Sequence, residues 1–525
     1  MLKNFLIIIF ALVPFLSFAQ KKADILIKNG KIIDGTGNPW FYGDIAIRKN
    51  KIWAIGNLDH VKSKQTIDAR GHIISPGFID VHTHIEGNEK ETPTADNFIY
   101  DGVTSVITGN CGSSDPNVKE YFRMLDSLKL SINVATFIGH NTVRKAIMGT
   151  ANREPNALES KKMEALIEKA MQDGAVGFST GLIYIPGTYA KTAEIIALAK
   201  SASKFNGTYT SHIRSESQHV FEAINEALLV GREAKMPVQI SHFKIGRPFW
   251  GQSDKTLALV EKAREEGFDV TIDQYPYTAS STSLNSIIPS WALENGNDSI
   301  KYRINNPVIH KKIVDEMIVD MEERQRSNFE YAVVSNFEND TSYNGKSISQ
   351  INLLQGRQAT IADEIETILN LTMNGGASMV FHSMDEADVV TIMKYPYTMI
   401  ASDSGIRLYG SGVPHPRGYG SNARVLARYV REQKVIGLED AIRRMTSLPA
   451  QKFGFKNRGL LREGMAADII IFDPETVTDH STYEKPHAYT SGIDYVFVNG
   501  KITLNQGRHT GIRNGKVLYG PAFTK

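Results

Sequence analysis

"GFIDVHTHIE", from Gly77 to Glu86, decides how the rest of the chain is read. Its apolar residues run like a buried strand, yet Asp80, His82 and His84 recur at every second position. Alternate residues of a strand share a face, so a carboxylate and two imidazoles are expected on one surface. Two readings stand at this point. The polar residues either end a strand in satisfied contacts, or they grip a metal ion, since neutral imidazole is a common ligand of Zn2+ and similar ions.

Outward from this stretch, short apolar runs alternate with longer helical patterns, the mark of βα units and a parallel sheet. Candidate strands are "GFIDVHTH", "VTSVITGNC", "INVATFIGH", "AVGFST", "TYTSHI", "VQISHF", "DVTIDQY" and "TMIASDSG". Eight such units predict an α/β chain with a (β/α)8 TIM-like barrel over residues 76–440, whose reactive groups belong at the carboxyl ends of the strands. "SMVFHS", Ser378 to Ser383, is a surplus apolar run, so the strand count is not unique. Between about 291 and 375 the spacing breaks into charged, Asn-rich sequence, read as a lid-like insertion over the barrel mouth.

Both chain ends show a different pattern. Short β runs fill 20–75 and return within 441–525, predicting one small β-sandwich domain built from both ends. Asn29-Gly30, Asn499-Gly500 and Asn514-Gly515 read as tight turns.

The 525 residues, 42% of them hydrophobic, suffice for a large core, and two domains are expected. A net charge of +2 without single-sign runs argues against a nucleic-acid or polybasic membrane surface and favours a small-molecule substrate. Lys3, the apolar run from Phe5 to Leu16, and Ser17-Phe18-Ala19 resemble a secretory signal peptide (1–19) cut after Ala19. The expectation is therefore export to the periplasm or medium with no stable membrane anchor. Oligomeric state is not legible. The lone cysteine, Cys111, cannot form an internal disulfide, which leaves it as a buried small side chain or as a metal-bound thiolate.

The remaining polar residues settle the choice. His82 and His84 follow the first candidate strand, Cys111 the second, His212 the fifth, His242 the sixth and Asp403 the eighth. Each falls at a carboxyl end, so closure of the barrel would bring His, Cys and carboxylate groups suited to Zn2+ into one pocket.

"GFIDVHTH", "GNCGSS", "GLIYIPG", "TSHIRSE", "ISHFK", "DQYPYTASST", "ASDSG" and "HPR" together resemble the N-acyl-D-amino-acid deacylase (D-aminoacylase) branch of the amidohydrolase superfamily, from about Asp24 to Leu518. The resemblance implies zinc-dependent hydrolysis of the amide bond of an N-acyl-D-amino acid. It implies Cys111, His212 and His242 as ligands of a tightly held ion, with His82 and His84 at a second, weaker position. Asp403 matches the catalytic acid/base. Lys244, Tyr275 or Tyr277, and Arg417 match groups that hold the substrate carboxylate, and Tyr184 matches a tyrosine facing the scissile carbonyl. The segment "DSGIRLYGSGVPHPR" is slightly longer than the branch's usual loop between the Asp and "HPR". His140 and His415 are expected to support other groups, and His219, His310, His382 and His487 are assigned no function. Related amidohydrolase reactions on D-terminal dipeptides or cyclic amides are the alternatives, with a non-catalytic metal-dependent binding protein a more distant one.

Overall fold

The computed structural model describes residues 22–524, so the expected signal peptide lies outside the described residues. Eight parallel strands carry the site: β1 (Phe78–Asp80), β2 (Val103–Thr108), β3 (Asn133–Thr136), β4 (Gly177–Gly181), β5 (Thr208–His212), β6 (Val238–Ile240), β7 (Val270–Gln274) and β8 (Thr398–Ile400). Each falls within one of the eight candidate runs, except that β4 continues one residue past its run to Gly181. They form two parallel sheets, β1-β2-β3 and a second running from Ile138–Gly139 through β4, β5, β6 and β7 to β8.

Backbone hydrogen bonds cross both seams between these sheets. On one side Phe137 N donates to Thr108 O and Val176 N to Thr136 O, each at 2.9 Å. On the other, Asp403 N donates to His82 O and His84 N to Ser404 O, also at 2.9 Å, around a parallel bridge between Thr83 and Ser404. Strands such as β2, β4, β5 and β7 are buried along their whole length, which explains their near-continuous apolar or small-residue character.

The connecting helices follow from local chemistry. In Ala157–Gln172, Asn156 accepts from the amides of Leu158 and Glu159 while Glu159 reaches back to the Asn156 amide, closing a capping box. Val220–Ala234 buries Val220, Ala223, Ile224, Ala227, Leu228 and Ala234, an apolar stripe at helical spacing that packs against the strands.

The chain ends join in one small β unit whose strands form a single nine-stranded hydrogen-bonded sheet. Ile73–Pro76 pairs antiparallel with Ile469–Phe472 and links the two ends. The sheet curls: Ile27, Ile45 and Ile47 from one half share a core with Ile469, Ile471 and Phe497 from the other. Asn29-Gly30 is not a hairpin turn but a bulge inside the strand Ala23–Ile32, where the left-handed Asn29 (φ 61°) donates its amide to Asp44. Asn499-Gly500 does turn the hairpin between Ile493–Val498 and Lys501–Asn505. Asn514-Gly515 makes no turn; Gly515 N donates to Leu130 O as the chain returns under the parallel strands. Helices Leu438–Met445 and Ser447–Lys452 pack on β1 and β8, so the terminal sheet resumes at Ile469 rather than near 441.

Between β7 and β8 lies a lobe with its own antiparallel sheet, in the order Ser280–Ser283, Ser378–Phe381, Ala332–Asn336. The surplus apolar run is its central strand, which removes the ambiguity in the strand count. Met317, Phe329, Ile365, Leu369 and Met379 form a core separate from the main one.

Candidate active site

The first strand stops at Asp80, and the expected alternation stops with it. The Asp80 carboxylate turns into the protein and accepts from Ser402 N and His82 N, tying the ends of β8 and β1 together. Burial pushes its pKa up to about 6 against these hydrogen bonds. Asp80 therefore belongs to the scaffold, while His82 and His84 face the site.

Cys111 Sγ lies 3.2 Å from His82 Nε2, 3.6 Å from His212 Nδ1 and 3.7 Å from His242 Nε2. His212 Nδ1 and His242 Nε2 are 2.7 Å apart. Two overlapping sets share the thiol, Cys111 with His212 and His242, and Cys111 with His82 and His84. Cys111, His242 and Asp403 each adopt a positive φ, of 52°, 35° and 50°. Non-glycine residues held there cost on the order of 1–3 kcal/mol each, and such strain gathers at functional sites. Space is equally tight. A side chain on Gly181 would meet Cys111 O at 2.1 Å, so the "STGL" glycine lets β4 approach the cysteine backbone.

The electrostatics fit a cation. Burial opposes the Cys111 thiolate, yet His82, His212 and His242 outweigh it and hold the thiol well below its ordinary pKa. Burial and His242 push His212 down, leaving it neutral and able to ligate. Burial opposes charge on His84 as well, but Asp403 and Cys111 raise its pKa to about 9. The donors thus make an anionic field that draws protons onto imidazoles, and a divalent ion would take their place. A Cys thiolate with neutral histidines is a donor set suited to Zn2+.

Acids behind the ligands orient them. Glu216 Oε1 lies 2.9 Å from His242 Nδ1 and accepts from Lys244 Nζ at 2.5 Å. With Nδ1 protonated toward Glu216, the His242 Nε2 lone pair is free for a metal. Asp273 accepts from His242 N at 2.8 Å and sits 3.4 Å from His82 Nδ1. Sequence reasoning passed over both acids, although each lies in a stretch quoted for its other residues, "TSHIRSE" and "DQYPYTASST".

Asp403 Oδ1 lies 3.4 Å from His82 Nε2 and 3.3 Å from His84 Nε2, and Oδ2 is 2.8 Å from Arg417 Nη1. Burial works against its charge, but Arg417, His82 and His84 hold it well below the usual carboxylate range. Arg417 stacks 4.6 Å above the Tyr275 ring, and Lys244 lies 5.6 Å from the same ring. Tyr277 is placed apart from them, against His415 at 5.3 Å and under Arg424 at 4.7 Å. Tyr184 packs edge-on against His212, and its hydroxyl accepts from Thr282 Oγ1 at 3.0 Å.

The two supporting histidines stand one step back. His415 accepts from Arg417 N and donates to Ala279 O. His140 contacts Glu194 and Asn141, and Asn141 Nδ2 donates to Gly181 O, at the start of the Tyr184 loop.

His84, Cys111, Tyr184, Asp403 and Arg417 open onto one cavity of about 1440 Å³, walled on its far side by the lobe. Strand-end thiolate and imidazoles beside an ion-paired carboxylate, at the floor of so large a cavity, define a metal-dependent hydrolase.

The comparisons agree. The Amidohydrolase family pattern matches residues 65–298 and 371–504, passing over most of the lobe. The N-acyl-D-glutamate deacylase of Alcaligenes xylosoxydans xylosoxydans is 35% identical over 522 residues, covering 95% of this chain and 97% of its own length. The D-aminoacylase of the same organism is 33% identical over 519 residues, covering 94% and 97%. A crystal structure of N-acyl-D-glutamate deacylase from Bordetella bronchiseptica, complexed with zinc and a phosphonate mimic of the tetrahedral intermediate, superimposes with a TM-score of 0.81. Its identity is 35%, and the match covers 95% of this chain and 100% of that one. The chain belongs to the amidohydrolase family, in its N-acyl-D-amino-acid deacylase branch.

Proposed function

We infer that the protein is a zinc-dependent deacylase that hydrolyses N-acyl-D-amino acids to a carboxylate and a free D-amino acid. The observation that carries this reading is Asp403, held ionised between His84 and Arg417 beside the Cys111 cluster. Zinc, when bound, supplies a Lewis acid and a water whose pKa falls to about 7. Cys111, His212 and His242 hold the tight position, and His82 and His84 a weaker second one.

Asp403 takes the proton of the attacking water and passes it to the leaving nitrogen. Because the Tyr184 oxygen accepts from Thr282, its own proton is free to donate to the scissile carbonyl oxygen as charge develops there. Arg417, set over Tyr275, receives the substrate α-carboxylate. Lys244 spends one of its three donors on Glu216 and adds charge from the His242 side.

Hydrogen bonds across both seams support a closed (β/α)8 barrel with its reactive groups at the strands' carboxyl ends. The terminal sheet is the second, smaller domain, and the lobe covers the barrel mouth as a lid. Lys3, the run from Phe5 to Leu16 and the small residues before Gln20 support export to the periplasm or medium. No helix of the described residues is long and apolar enough to cross a membrane.

Turnover of the zinc-loaded protein on matched N-acetyl-D- and N-acetyl-L-amino acids tests the reading. Hydrolysis confined to the D series is expected; turnover of the L series alone, or of neither, contradicts it.

A further inference from the structure

Four cations line the cavity beside Asp403: Arg417 and Arg407 are drawn into its wall, while Lys145 and Lys301 are exposed. Lys244 is paired with Glu216 and Arg417 with Asp403. Arg407, half-buried in the wall of the same cavity, forms no ion pair among the described residues. Its Nε donates to Ser404 Oγ at 2.9 Å, while its two terminal amino groups make no hydrogen bond within the chain. Burial and the nearby Arg417 push its pKa down only to about 10, so the guanidinium stays charged at neutral pH.

The loop that carries it is pinned on both sides. Arg407 N donates to Asn97 Oδ1 at 3.1 Å, and the Asn97 amide donates to Gly405 O and Gly418 O. Beyond Leu408, the loop is held by His487, which accepts from Gly410 N and contacts Gly412 O at 3.0 Å, while Tyr409 donates to its carbonyl. A guanidinium fixed in this way and lacking a counter-ion is pre-organised for a planar anion.

We propose that Arg407 anchors a second carboxylate, carried on the substrate's side chain, so that the preferred substrates are N-acyl derivatives of acidic D-amino acids. The proposal rests on the deacylase reading above and deepens it. Position separates the two carboxylates. Arg417 touches Asp403, next to the scissile bond, and is the guanidinium that an α-carboxylate reaches. Arg407 hydrogen-bonds to neither Asp403 nor any of the His or Cys ligands; its side chain is held by Ser404, the residue after Asp403. A carboxylate one or two methylenes along a side chain would extend from an α-carboxylate at Arg417 toward this second guanidinium, which is near enough to feel the charge of Arg417.

The test compares kcat/KM for N-acetyl-D-glutamate, its neutral isostere N-acetyl-D-glutamine, N-acetyl-D-leucine and N-succinyl-D-leucine, using the full mature protein and its Arg407→Met and Arg407→Lys variants. The unaltered protein is expected to favour glutamate over glutamine by about 10- to 100-fold, the scale of a charge-assisted hydrogen bond. Arg407→Met is expected to bring the two near parity, and Arg407→Lys to restore part of the gap. The wild-type ratio stands alone should a variant fail to fold. Turnover of the neutral substrates without acid preference overturns the inference and leaves the deacylase reading intact. A preference for N-succinyl-D-leucine over N-acetyl-D-glutamate overturns it by assigning the second carboxylate to the acyl group. An equal loss on every substrate in Arg407→Met overturns it too, since that is the behaviour of an α-carboxylate anchor. No turnover anywhere on the panel removes the deacylase reading itself.

Discussion

The two sides of the cavity are built on opposite principles. The metal side is made from strand ends, with three residues held at positive φ and acids behind two of the histidines, Asp273 at His82 and Glu216 at His242. The far side comes from the lobe, where Ser335, Asn336, Asn339 and Asn374 line the cavity over a core of their own. Chemistry is mounted where the scaffold tolerates strain, and the covering wall is free to differ. The family match, which passes over 299–370, divides the chain along the same line.

The comparison can be broken in three places. Tyr184→Phe removes the free phenolic donor, and the account expects kcat to fall about 100-fold, the scale of one lost oxyanion donor, with zinc content unchanged. Steady-state kinetics alongside metal analysis would check it. Glu216→Gln weakens the acid behind His242 and is expected to lower zinc affinity about 10- to 100-fold in competition with a chelator, with loss of activity following loss of metal. The smallest effect is expected on the far side. Ile365→Val trims one methylene in the lobe core, costs about 1 kcal/mol in urea unfolding, and leaves zinc affinity within twofold. A change in zinc affinity as large as that of Glu216→Gln would show that the two sides are not separate.

The same division governs what was legible in the sequence. His82, His84, Cys111, His212, His242 and Asp403 could be found because each ends a short apolar run, and parallel strands bring such ends together. Backbone conformation was not legible: nothing in "GNCG" or "SHFK" marks Cys111 or His242 as left-handed. Glu216 and Asp273 were hidden because an acid near a histidine in sequence is common, and only the fold shows which imidazole nitrogen it meets. Asn29-Gly30 read as a turn because its left-handed preference serves a hairpin or a bulge equally, and the pairing partner, Phe41–Arg48, decides between them. The strand Ser378–Phe381 carried no period to tell a lobe strand from one of the eight. Arg407 lay in a loop whose extra length was visible, but its missing counter-ion was not.

The central claim is that Asp403 does chemistry on a substrate activated at a metal held by its neighbours. Turnover and zinc content of Asp403→Asn, measured together on an N-acetyl-D-amino acid, test it most directly. The account predicts full zinc occupancy with kcat lowered about 10²- to 10⁴-fold, the range for loss of a positioned acid/base. Wild-type turnover in that variant, with zinc in place, would contradict it.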